Sequence, residues 1–396
     1  MLQNKVPNVR FCKYLDIWKT TKLNKITEII GGGTPDTKQF SYWNGGINWF
    51  SPTEVGKTVY LTKSEKTISQ LGLQKSSAKL LPAFKTILFT SRAGIGDVGI
   101  ITEESATNQG FQSLVVNEET DVYFLYSYSD QIKKYALKHS AGSTFLEISG
   151  KELGKMDLSI PSLPEQSAIG SLFRTLDDLL ASYKDNLTNY QSLKATMLSK
   201  MFPKAGQTVP EIRLDGFEGE WEEKEFIKIV NRVTESSDSD SLPKVEFEDI
   251  ISGQGKLNKD ISSKFDNRKG ILFKPGYTLY GKLRPYLNNW LLPKFEGVAL
   301  GDFWVFDPNG NNSDFIYYLV QSSRFQKVAN DTSGTKMPRS DWKSVSTTIF
   351  AIPQTIAEQQ AIGAYFSNLD NLINSHQEKI SQLETLKKKL LQDMFI

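Results

Sequence analysis

The chain has 396 residues, of which 39% are hydrophobic, 23% charged and 11% aromatic, with a formal net charge of +2. That length provides for two or three domains with sizeable cores, and the near-neutral balance means that any basic surface is local. The single cysteine, Cys12, excludes an intrachain disulfide and suits a reducing cytoplasm, and two histidines leave little for a His-based metal site or triad. No run approaches the ~18 apolar residues of a membrane span. The stretch MLQNKVPNVRFCKYLDIW lacks the apolar core of a signal peptide. The expected location is cytoplasmic.

Residues 1–20 are a lead-in. VPNVRFCKYLDIW (Val6 to Trp18) is echoed by VPEIRLDGFEGEW (Val209 to Trp221), with Val, Pro, Arg and Trp in step. A first body covers roughly Lys22 to Ile160. Gly31–Pro35 is a turn cluster, and SYWNGGINWFS (Ser41–Ser51) suggests short strands or a hairpin about Gly45-Gly46. Thr86–Thr90 and Phe111–Val116 read as strands and Asp121–His139 as one amphipathic helix. The loop Ser140–Thr144 follows, then a strand-like segment ending at Ile160-Pro161.

Ser162–Phe202 reads as one long helix. A second body, roughly Glu222 to Phe350, opens on the Ser/Asp-rich stretch Thr234–Leu242, a solvated loop by composition. Gly270–Phe273 and Tyr277–Tyr280 read as strands about a Pro275-Gly276 turn, Phe303–Phe306 as a strand and Asp314–Ala329 as a helix. Ser333-Gly334-Thr335 and Ile352-Pro353 then repeat the closing order of the first body. The middles of the two bodies do not align by eye.

The second long helix, Thr355–Phe395, aligns with the first at a constant offset of 193 residues, and from Glu165 to Phe202 about 15 of 38 positions are identical. Each opens on a capping-box pattern, Ser162-x-x-Glu165 and Thr355-x-x-Glu358. Apolar residues then step by threes and fours. The expected seam includes Phe173, Leu176, Leu180, Leu187 and Leu193 in one helix and Phe366, Leu369, Ile373, Ile380 and Leu386 in the other. His376 on this seam is a packed or hydrogen-bonded histidine rather than a ligand.

Connectivity makes the pair antiparallel if the helices pair with each other. About 40 residues at 1.5 Å each span roughly 60 Å. The expected fold is α+β: two similar globular domains of mixed α/β structure, separated by a long antiparallel two-helix coiled coil with pseudo-two-fold symmetry. The expected division is 1–160, 161–203, 204–351 and 352–396, the second and fourth segments being the spacer helices. A generic helical dimerisation hairpin is the plainer alternative. Two related but divergent heads on a rigid spacer suit a target with two different features at fixed separation, and duplex DNA, repeating every ~34 Å, is one.

The chain resembles the specificity (S) subunits of type I restriction-modification enzymes over nearly all its length. The frame motifs are PSLPEQSAI and PQTIAEQQAI before the long helices. GGGTP, YWNGGINW, TSRAGIGDVGI and TNQGF resemble one type of target recognition domain, and VEFEDIISGQGKL with YGKLRPYLNNWLLP another. The resemblance implies a DNA sequence-specificity subunit in which each domain reads one half of a split, asymmetric site. The helices would set the spacing and dock two methyltransferase (modification) subunits, which restriction (motor-nuclease) subunits join. It implies no catalytic site and no cofactor in this chain; S-adenosylmethionine, ATP and Mg²⁺ would be used by partner subunits. Consistent with that, neither a methyltransferase Asn/Asp-Pro-Pro-Tyr/Phe motif nor a P-loop is present. The alternatives are the specificity portion of a self-contained restriction-methylation enzyme, or a coiled-coil scaffold without DNA binding.

Candidate DNA contacts in the first body are Thr34, Lys38 and Trp43 around the aromatic stretch, Ser91-Arg92 at a strand end, the amides Asn108 and Gln109, and Ser143 with Thr144. In the second body Lys282 and Arg284 alternate with Tyr280 and Tyr286, and Lys336 and Arg339 lie after Gly334. Arg92 and Arg284 suit phosphate contact or a fold-shaping role better than base reading. The acidic stretch Glu235, Asp238, Asp240, Glu246, Glu248 and Asp249 argues that its face of the second body points away from DNA. The run Lys387-Lys388-Lys389 either touches DNA or forms a solvated helix face.

Overall fold

Both globular bodies close on themselves in the same way. Lys19–Lys22 pairs antiparallel with Asp157–Ile160, and Glu222–Glu225 pairs antiparallel with Ile349–Ile352, so each body joins its beginning to the segment before its long helix. The computed structural model describes residues 6–92, 94–142, 146–262, 267–331 and 337–395. It divides into two units, residues 1–184 with 379–396, and residues 185–378.

The main sheet of the first unit has the spatial order Thr27–Gly31, Gln112–Val116, Thr86–Phe89, Val98–Ile101, Tyr60–Leu61. Only its last pairing is parallel. The second unit repeats the first four places, antiparallel throughout, with Asn231–Arg232, Phe303–Asp307, Thr278–Gly281 and Trp290–Leu291. The middles that do not align as sequence therefore share a sheet, because a short apolar run buried on both faces, as in Thr86–Phe89 and Phe303–Asp307, specifies a strand without specifying its residues. Each unit also has a second sheet that includes one parallel pair: Trp43–Phe50 with Ser105–Thr107, and Lys244–Val245 with Gly297–Ala299.

Four local expectations change. Ser41–Ser51 is not a hairpin: Trp43–Phe50 is one strand with a bulge, Trp43 and Ile47 both opposing Ile68. Asn44 (φ 59°) and Gly46 (φ 88°) absorb the extra length in the left-handed region. Within Thr234–Leu242, Ser236–Ser237 joins Gly270–Ile271 as an edge strand. Asp121–His139 is two helices, Val122–Ser127 and Ser129–His139. They break at Tyr128, which is buried and donates its hydroxyl to the Ser159 carbonyl at 2.5 Å. Asp314–Ala329 likewise splits into Ser313–Leu319 and Ser323–Ala329, because Ser322 caps the second piece by accepting from the Phe325 N–H.

The long helices run Leu163–Lys200 and Ile356–Met394. Within the first unit Asp177 meets Lys387, Lys184 meets Glu384 and Phe173 meets Phe395. Within the second, Tyr190 meets His376, Lys194 meets Asp370 and Phe202 meets Phe366. Partners descend as residues ascend, so the pairing is antiparallel in both units. Phe173, Leu176, Leu180, Phe366, Leu369 and Ile373 are buried, and Leu187 and Ile380 half-buried. Leu193 and Leu386 are not in the seam; they are 37% and 45% exposed. The heptad continues from Tyr190 to Lys194 and from Leu383 to Lys387, so the lysines take the inward place and the leucines before them turn outward.

The glutamates of the two capping-box patterns do not reach back to the caps. The half-box survives at the second helix, where the Thr355 hydroxyl accepts from the Glu358 N–H at 3.3 Å. The carboxylates go instead to the lead-ins. Glu165 accepts from Arg10 Nε and Nη2 at 2.6 and 2.7 Å and from Trp18 Nε1 at 3.4 Å. Glu358 accepts from Arg213 and Trp221 in the same way. The adjacent glutamines tie each helix to its body. Gln166 accepts from the Asp121 N–H at 3.1 Å, and Gln359 from the Asn312 N–H at 2.9 Å. Asp121 and Asn312 are the N-caps of the equivalent short helices.

Candidate nucleic-acid interface

In the first unit the loop before the bulged strand is organised by Asp36. Its side chain accepts from the Lys38 N–H at 2.9 Å and its carbonyl from Trp43 Nε1 at 3.2 Å. Trp43 is half-buried and meets Trp49 edge-on at 5.1 Å. Thr34 and Gln109 are both exposed, and the Thr34 hydroxyl is hydrogen-bonded to Gln109 Oε1. Gly32 allows this approach: a Cβ there would lie 1.9 Å from the Asn108 carbonyl. Thr34, Lys38 and Gln109 thus belong to connected loop segments, and Trp43 opens the strand beside them.

The remaining first-unit candidates have other surroundings. Asn108 accepts from the Gly110 N–H at 2.8 Å, so its amide oxygen shapes the turn. Ser91 is fully buried and cannot present its hydroxyl to a duplex. Arg92 is half-buried and forms a backbone bridge with Glu147. Ser143 and Thr144 lie outside the described residues.

In the second unit the structure places two cations, Arg339 and Lys282, against one carboxylate, Asp302. Arg339 donates to Asp302 Oδ2 at 2.9 Å, and the Lys282 ammonium lies 3.7 Å from Oδ1. The Asp302 hydrogen bond raises the Arg339 pKa still further above its ordinary value. Arg284 sits in the left-handed region (φ 48°), is exposed, and donates its N–H to the Pro338 carbonyl at 2.7 Å. Tyr286 is exposed on the one-turn helix Pro285–Leu287. The basic-aromatic alternation splits here, because Tyr280 is buried and burial pushes its hydroxyl up to about 12. Lys336 lies outside the described residues.

Part of the acidic stretch is internally engaged. Asp249 is fully buried and pairs with Lys259 at 2.7 Å, and Glu246 pairs with Arg268 at 2.5 Å. Lys387 of the lysine run binds Asp177, so it is neither free for DNA nor a bare solvated cation; Lys388 and Lys389 are exposed. Sequence reasoning missed Asp302 as the counter-charge to two proposed contacts, and a lone acid between two strands gives no pattern signal. It also missed the exposed ring of Phe40, which the run Thr37-Lys38-Gln39-Phe40 carries in plain view.

Comparison with known proteins fits this duplicated arrangement. The model for the type I restriction modification DNA specificity domain matches the chain twice, at residues 16–190 and 224–385. The type I restriction enzyme MjaIX specificity subunit of Methanocaldococcus jannaschii is 25% identical over 403 residues, covering 94% of this chain and 91% of that protein. The EcoR124I/EcoR124II specificity subunit of Escherichia coli is 30% identical over 179 residues, 43% of each chain. The crystal structure of a type I restriction-modification system S subunit from M. genitalium shares the fold, with a TM-score of 0.62 at 14% identity over 99% of each chain. The two matches together cover most of the sequence, and the chain belongs to the type I restriction modification DNA specificity family.

Proposed function

We propose that this chain is the DNA sequence-specificity subunit of a type I restriction-modification complex. Each globular body reads one half of a split, asymmetric site in double-stranded DNA. The long helices set the accepted spacing and dock two modification subunits, which restriction subunits join. The chain has no active site of its own; S-adenosylmethionine, ATP and Mg²⁺ act on the partner subunits, in the cytoplasm of a bacterium or archaeon. The observation that carries this reading is the double family match, one per body.

The docking part is supported by exposed leucines at equivalent places. Leu179 and Leu386 are 41% and 45% exposed in the first unit, and Leu372 and Leu193 are 40% and 37% exposed in the second. Two equal apolar sites suit two copies of one partner. The DNA part is supported by the Arg284 loop and the Thr34–Trp43 loop, each fastened by backbone hydrogen bonds. The decisive experiment maps methylated adenines across the genome with and without this chain. A split motif that disappears with the chain supports the reading, and an unchanged methylation pattern overturns it.

A further inference from the structure

Phe40 is 91% exposed, yet the loop that carries it is fastened on every side. Asp36 accepts from the backbone of Lys38 and Gln39 and from the Trp43 ring nitrogen. The Tyr42 and Ser41 carbonyls accept from the Ser69 N–H at 2.9 Å and the Ser69 hydroxyl at 2.7 Å. The ring therefore crowns a braced one-turn helix, Phe40–Tyr42. Leaving a phenyl ring in water forgoes about 1.5–3 kcal/mol of burial, and it does nothing for this fold. The stretch of chain that carries the ring is basic, although one of its lysines, Lys85, pairs with Glu118 at 2.6 Å. Residues 36–85 contain seven lysines and three acidic residues. Two of those acids are engaged internally: Asp36 as above, and Glu54 with the backbone N–H groups of Ser51 and Glu65 at 2.7 and 2.6 Å.

The second unit repeats the device at a different place in its fold. Tyr286 is 58% exposed on the one-turn helix Pro285–Leu287, between Arg284 and Asn288 in the left-handed region. In both units a cation precedes the ring by two residues, Lys38 before Phe40 and Arg284 before Tyr286. Rigid display of an apolar ring beside a phosphate-binding charge suits insertion between base steps, which unstacks and kinks the duplex.

We propose that Phe40 and Tyr286 are base-stacking wedges, each inserting its ring into the DNA half-site of its own unit while the cation two residues earlier holds a phosphate. This rests on the DNA reading above. The test uses the full chain with its modification subunits and a random-sequence 30-bp duplex library. The selected duplex is then remade with 2-aminopurine at each position in turn. A several-fold fluorescence rise is expected at one step per half-site on binding. Phe40→Ala should abolish the rise in one half-site and Tyr286→Ala in the other, each weakening binding roughly ten- to hundred-fold. Phe40→Trp should keep both properties. Phe40→Lys adds a phosphate contact without a ring. If it or Phe40→Ala binds as the parent does with the same fluorescence pattern, the wedge is overturned while DNA recognition stands. If the library yields no selected duplex, the DNA reading falls and the wedge with it. With Phe40 so exposed, equal melting temperatures for variants and parent are the control on folding.

Discussion

Arg213 holds both oxygens of Glu358, at 2.7 and 2.8 Å, across 145 residues of sequence. Glu358 is 5% exposed and Arg213 15%. Arg10 and Glu165 form the same pair in the first unit, with side-chain exposures of 10% and 1%. In each case a tryptophan indole also donates to the carboxylate, and the hydrogen bond to glutamate pushes the arginine further above its usual pKa. Removing one member of such a pair strands a buried charge. Arg213→Ala is expected to destabilise the second unit by about 3–5 kcal/mol. Arg213→Ala with Glu358→Ala should recover much of that, because no bare carboxylate remains. Urea unfolding of the two variants measures the difference, and equal losses would show that the charge is not what matters.

That pair also marks the limit of what could be read from the chain alone. The lead-in echo, with Arg10 and Trp18 matched by Arg213 and Trp221, was visible, and so were Glu165 and Glu358. Their connection was not, because periodicity and spacing describe neighbours along one element, whereas these partners meet only once the lead-in crosses the helix start. The antiparallel sense and most of the seam were legible for the opposite reason: one repeating pattern specifies them. Leu193 and Leu386 were misassigned because a three-residue step from Tyr190 or Leu383 reaches a leucine, while the true four-residue step reaches a lysine. Among the site candidates, Ser91 failed as a surface group because its burial is set by the approach of other segments.

The seam lysines have a shared role. Lys194 binds Asp370 at 2.7 Å and Lys387 binds Asp177 at 2.5 Å, and each aspartate also accepts a tyrosine hydroxyl at 2.8 Å, from Tyr318 and Tyr123. Burial first, and then the aspartate charge, push both tyrosine hydroxyls up, so they remain donors at any working pH. Asp177→Ala should cost about 2–3 kcal/mol by leaving two donors without their acceptor. Lys387→Ala should lower stability yet leave the salt dependence of DNA binding unchanged. A shallower salt slope for Lys387→Ala would return that residue to the DNA surface.

Asp302 restrains the cations beside it. Replacing it with asparagine removes the charge facing Arg339 and Lys282. Asp302→Asn should tighten DNA binding at low salt and steepen the dependence of log K on log salt by about one to two units. Arg284→Ala should make that slope shallower by about one and weaken binding to all sequences alike. Titrations at several salt concentrations distinguish the two, and a sequence-selective loss in Arg284→Ala would show base reading instead of phosphate contact.

The exposed leucines predict a divisible assembly. Leu179→Asp combined with Leu386→Asp should remove one modification subunit and leave the other. The pair Leu193→Asp and Leu372→Asp should do the same at the second site. Native mass spectrometry of the assembled complex reads the stoichiometry directly. Retention of both subunits by either double variant would place docking elsewhere.

Exchange of recognition segments with a relative should change one half of the recognised motif, and the structure fixes where the cut must fall. The short helices after the main sheet belong mechanically to the long helix. Asp121 is held by Gln166, Tyr123 by Asp177, and Phe124 packs against Phe395 at 5.5 Å. Gly170 is close enough that a Cβ would meet Asp121 Oδ1 at 2.5 Å. Exchange of the whole body, residues 22–160, would disturb all four relationships at once. Exchange of residues 27–116 carries the main-sheet strands, the bulged strand and the Phe40 loop, and leaves the helix attachments native. The shorter exchange should fold with parental stability and alter only one half of the methylated motif. If both halves change, the assignment of one body to one half-site is wrong; if neither changes, recognition lies in the retained residues 117–160.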